Sequence, residues 1–118
     1  MQDDAIGALE RALVAVGMTS SVPADASRAD LVVETPARGS FEVAVTARSV
    51  AGPDDVERLA HWRGEGVVPV LVAAEVPDAV RRDLDARGLS WLDRRGHLHL
   101  TAPGLLVDET FSPPVHDA

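Results

Sequence analysis

The feature that most constrains this chain is the run Val67-Val68-Pro69-Val70-Leu71-Val72-Ala73, nearly unbroken in apolar residues and rich in β-branched ones. Seven residues are too few for a stable isolated helix and suit a strand. A strand apolar at every position, not only at alternate ones, has both faces covered. Covering both faces of a sheet calls for helices above and below it, so one short run already argues for a layered α/β domain. Pro69 lacks an N–H, which suggests that the strand begins at an edge or a bulge.

The segments around this run supply the other layers. Ile6, Leu9, Leu13 and Val16 recur at helical spacing, Asp3 and Asp4 suit the start of a helix, and Gly17 suits its end, predicting a helix over 3–16. A short edge strand is expected near Ser20–Val22. Ala29–Glu34 and Phe41–Arg48 read as strands, the second alternating Phe41, Val43, Val45, Ala47 with Glu42, Ala44, Thr46, Arg48. Pro36 and Gly39 between them predict a hairpin.

Gly52-Pro53-Asp54-Asp55 opens a helix over 53–63 that buries Val56, Leu59 and Ala60. Pro77-Asp78 opens another over 77–87, stopped by Gly88. Ser90–Leu92 then pairs parallel to the buried run, completing a βαβ unit. His97–Leu100 pairs after the Arg95-Gly96 turn, and Leu105–Val107 adds a further pairing. The expected fold is α/β of αβββαβ type: a mixed central sheet with an antiparallel hairpin and a βαβ unit, and helices on both faces. It forms one domain over 1–108, followed by a disordered tail over 109–118.

Composition narrows the function classes. With no Cys, disulfides and thiolate metal sites are excluded. The N-terminus is acidic where a signal peptide is basic, and no apolar run is long enough to span a membrane, so a cytoplasmic protein is expected. All positive charge is Arg, with no Lys, which fits the coding bias of a GC-rich bacterial genome. A net charge of −8 opposes phosphate binding through counterion release, so nucleic acid is a disfavoured partner for this chain alone.

The segments ADLVVE (29–34), FEVAVTAR (41–48) and PVLVAAEVPDAVRRDLDARGLSWLDRRGHLHL (69–100), in that order, resemble the restriction-endonuclease-like PD-(D/E)xK superfamily. More specifically, they are similar to small bacterial domains often joined to a helix-turn-helix. The resemblance implies an Asp on one hairpin strand and an acid-x-Lys on the next. The carboxylates would hold a divalent metal, and the Lys would help activate water. Asp30 matches the first Asp, but Ala44 stands at the acid and Thr46 at the Lys. Glu42 and Arg48 share their face of the strand.

The resemblance therefore implies a catalytically inactive nuclease-like domain. It would act as a protein-binding, scaffold or regulatory module in a DNA-associated, transcription-related system, with another protein or a second copy as partner and no cofactor. The alternative is an active Mg- or Mn-dependent nuclease in which Asp30 and Glu42 hold the metal with an atypical third group. A longer native product carrying a DNA-binding domain would favour the accessory role.

Other candidates have plainer readings. Asp30 can cap a strand while Glu42 is solvated, and Arg48 can be an exposed strand-end arginine. His97 and His99 point to one side of a strand and could ligate zinc, but a polar strand face explains them without a third ligand. His61 lies beside Trp62, whose plain role is packing, and Asp93 suits a turn-organising role. Arg81, Arg82, Arg87, Arg94 and Arg95 are interleaved with acids and read as a solvated, salt-bridged surface. Ser20 and Ser21 lack the context of a hydrolase nucleophile.

Overall fold

The computed structural model describes residues 2–23, 29–35, 39–62, 67–102 and 105–111. Its elements run α1 (Gln2–Ala15), β1 (Thr19–Ser21), β2 (Leu31–Thr35), β3 (Gly39–Val50), α2 (Pro53–Trp62), β4 (Val68–Glu75), α3 (Asp78–Ala86), β5 (Ser90–Asp93), β6 (His97–Ala102) and β7 (Leu105–Thr110). The first six elements have the expected αβββαβ order, and α3 through β7 extend it. The strands form one mixed sheet whose spatial order repeats chain order, β1-β2-β3-β4-β5-β6-β7. β3, β4 and β5 are parallel to their neighbours in that trio, and every other pairing is antiparallel.

Two cores sandwich the sheet. On one face Ala5, Ala8, Leu9, Ala12 and Leu13 of α1 pack on Leu31, Val33, Val43, Val45, Val70, Val72, Leu92, Leu98 and Leu100. On the other, Val56 and Leu59 of α2 and Val80 and Leu84 of α3 pack on Leu71, Ala73 and Trp91. Successive residues of β4 thus serve opposite cores, as its unbroken apolar run requires. α1 buries Leu9 and Leu13 as expected, but alanines fill the rest of its inward stripe, while Ile6 and Val16 lie at the margin. Small side chains there let the helix backbone sit close to the sheet.

Pro69 lies in the middle strand of seven, away from either edge of the sheet. β5 reaches only Val70–Ala73 of β4, so Pro69 sits beyond its end and is flanked by β3 alone. The start of β4 is therefore edge-like locally, which accommodates a residue without an N–H.

α1 and α3 end in the same way. Met18 N donates to Leu13 O and Gly17 N to Val14 O; Leu89 N donates to Leu84 O and Gly88 N to Asp85 O. Gly17 and Gly88 take the positive φ that this termination requires, and Met18 and Leu89 are buried beyond them.

The described structure runs past the expected boundary at residue 108. β7 continues to Thr110, and Phe111 donates its N–H to Gly96 O and packs against the α1-side core. The rest of the expected tail, 112–118, and the hairpin residues 36–38 lie outside the described residues. Among the described residues no helix is long and apolar enough to cross a membrane.

Candidate functional site

The hairpin register fixes where Asp30, Glu42, Ala44, Thr46 and Arg48 lie and what each contacts. Leu31 pairs with Val43, so Asp30, one residue earlier, lies level with Ala44. Asp30 N donates to Val43 O at 2.7 Å, and Asp30 Oδ2 accepts the Val45 N–H at 2.7 Å. The reason lies in strand length: β2 begins at Leu31 whereas β3 continues to Val50, so β3 overhangs its partner. The overhanging backbone needs other partners. Asp30 supplies one, and Arg48 supplies another by donating from Nη1 to Ala47 O at 2.7 Å.

Arg48 differs from the exposed strand-end arginine that the sequence suggests. Its Nε donates to Asp55 Oδ1 at 2.8 Å, and Asp55 is buried. Asp55 Oδ2 in turn accepts the Gly52 N–H at 2.8 Å, an acid at the third helical position reaching back to the residue before the helix. One carboxylate thus closes the start of α2 and anchors the end of β3.

Glu42 is half-buried opposite Val32, Ala44 is buried opposite Pro69, and Thr46 is half-buried opposite Leu71. Glu42 lies one same-face step from Ala44, a diagonal of about 7–8 Å from a residue level with Ala44. The Asp30 carboxylate turns toward Val45, on the far side of Ala44 from Glu42. Among the described residues no three His, Asp or Glu side chains are arranged to hold a metal ion.

At the opposite flank of the same face, the sheet assembles a polar group that spacing alone did not reveal. Trp91 pairs with His99, and His99 with Asp108, in one row across β5, β6 and β7. Asp108 lies between two imidazoles, its Oδ1 2.8 Å from His97 Nε2 and its Oδ2 2.7 Å from His99 Nδ1. Both rings lie against the fully buried Trp91, with centroids 4.8 and 5.9 Å away. Trp91 Nε1 donates to Asp85 Oδ1 at 2.8 Å, and that oxygen is 3.8 Å from His99 Nε2. Partial burial pushes the Asp108 carboxyl up, but hydrogen bonds from His99 and His97 outweigh it and hold the group below its ordinary value. The His-x-His spacing was visible in the sequence. The missing signal was the register that sets Asp108 opposite His99.

Between the flanks, at the end of β5, Asp93 is buried and organises the turn. It accepts the N–H groups of Val76 at 2.9 Å and Arg95 at 2.8 Å, and the Arg95 guanidinium at 2.8 Å. Arg81 Nη2 approaches at 3.4 Å, and the Arg81 guanidinium lies over Trp91. Burial alone would raise the Asp93 carboxyl, but the Arg95 guanidinium and the Val76 and Arg95 N–H groups bring it below its ordinary value. The remaining arginines follow the salt-bridged pattern in part: Arg87 pairs with Glu57 and Asp83, and Arg95 approaches Glu75. His61 is exposed, and the side chain of Trp62 lies outside the described residues.

Comparison with family models, with curated proteins and with solved structures found no match to this chain.

Proposed function

We propose that this chain is a catalytically inactive, nuclease-like domain that serves as a protein-binding or scaffold module in a DNA-associated bacterial system, acting in the cytoplasm and regulating through its partner. The observation that carries the reading is the use of Asp30 and Arg48. The one carboxylate matching the nuclease pattern accepts a backbone N–H, and the one cation of β3 is bound to Asp55 and to Ala47 O. The positions that would complete the chemistry are Ala44 and Thr46, neither of which can ligate a metal as an acid does or supply a positive charge. The net charge of −8 supports a protein partner or a second copy of the chain over nucleic acid.

The test is incubation with plasmid and single-stranded DNA in Mg²⁺ and in Mn²⁺. No cleavage is expected. Cleavage that disappears in both Asp30→Asn and Glu42→Gln would replace this reading with that of an active metal-dependent nuclease. Sedimentation across a concentration series addresses the partner: a reversible dimer would identify a second copy, and a monomer throughout would leave a different protein as the partner.

A further inference from the structure

β7 is the terminal strand of the sheet, and its two faces are fastened differently. On the α1 side Leu105, Val107 and Phe111 pack into the core. On the α3 side the fastening runs through Asp108, shared by His97 and His99. Side-chain exposures of 23% for His97, 14% for His99 and 50% for Asp108 leave the group shielded yet open to protons.

The surroundings make the protonation state matter. A neutral imidazole can donate from only one nitrogen, whereas an imidazolium donates from both. When His99 Nδ1 donates to Asp108 from a neutral ring, the Nε2 lone pair faces the Asp85 carboxylate at 3.8 Å, with the Thr101 hydroxyl at 3.4 Å. Protonation turns that nitrogen into a donor toward Asp85 and turns the contacts with Asp108 into ion pairs. The other charged groups facing the rings are Asp93 of β5, opposite His97 and bound by Arg95, and Arg81 of α3, which lies over Trp91.

We propose that His97, Asp108 and His99 form a proton-dependent clasp on the edge strand, tightening β7 on β6 when the imidazoles take up protons and loosening it when they release them. Imidazoles as a class change charge between about pH 5 and 8, which sets the range over which the clasp is tested. The proposal is independent of any nuclease resemblance. It is tested by amide hydrogen exchange between about pH 8 and 5.5, corrected for the intrinsic pH dependence of exchange. Protection of the hydrogen-bonded β7 amides should rise about three- to tenfold on acidification, the size expected of two partly exposed pairs, while β3 and β4 amides stay level. Asp108→Asn, and separately His97→Gln with His99→Gln, should flatten the β7 response. A flat response in the unmodified protein, an equal response in the variants, or one shared by β3 and β4 would overturn the proposal.

Discussion

At the β2–β3 flank a carboxylate and a guanidinium are committed to backbone groups that strand pairing leaves open. At the β6–β7 flank a carboxylate meets two imidazoles, and strand pairing is already complete without it. Both flanks lie beside the helices of the same sheet face, and both carry acidic and basic side chains on that face. They differ in whether the side chains replace missing backbone partners or add to an intact ladder. A group that replaces a backbone partner leaves that partner unsatisfied when it is lost, while the loss of one that adds to a finished ladder leaves the backbone pairing intact.

Substitutions can break this comparison, and the largest effect should come from the residue between the flanks. Asp93→Ala leaves the Val76 and Arg95 N–H groups without their acceptor and frees the exposed Arg95 guanidinium to water. With two donors left unsatisfied it should cost about 2–5 kcal/mol, read from urea unfolding. Asp30→Ala leaves the Val45 N–H without its acceptor and should cost about 1–3 kcal/mol in the same measurement, with Asp30→Asn recovering part because its amide oxygen still accepts. Asp108→Asn should cost under about 1 kcal/mol, since the carboxylate is itself half-exposed and the β6–β7 backbone ladder survives. If Asp108→Asn proved costlier than Asp30→Ala, the contrast between the flanks would be reversed.

Acid titration sharpens the same point. Asp93 and Asp108 are both held below their ordinary value in the folded state. Their stabilisation is complete above the unfolded-state value and is lost as pH falls through the lower folded-state value. Unfolding free energy should therefore drop on acidification in that window, and Asp93→Asn should flatten the drop more than Asp108→Asn. Circular dichroism at a series of pH values measures it.

The fold was legible where one residue type had one physical meaning. The apolar run of β4, the alternation of β3 and the glycines after α1 and α3 each implied an element directly. Legibility failed where a residue's role depended on lengths or register elsewhere. Nothing near Asp30 shows that β2 begins two residues short of Val45's cross-strand position, and this overhang is what makes the carboxylate a backbone partner. Likewise, the third member of the His97–His99 group lies on another strand. Asp108 is assigned to that group only once the Ala102–Leu105 pairing is known. The Asp93 turn was readable because its partners, Arg95 and Gly96, are adjacent in sequence.

The order of the strands carries a consequence for how the molecule is made. Since each strand pairs with its predecessor in the chain and none is inserted between two earlier ones, the sheet can be laid down from one side to the other. A ribosome delivering the chain from its N-terminus would present each strand to an edge already in place, without waiting for a distant segment to close a gap. β7 would join last, and the strand that arrives last is also the one that can leave without splitting the sheet.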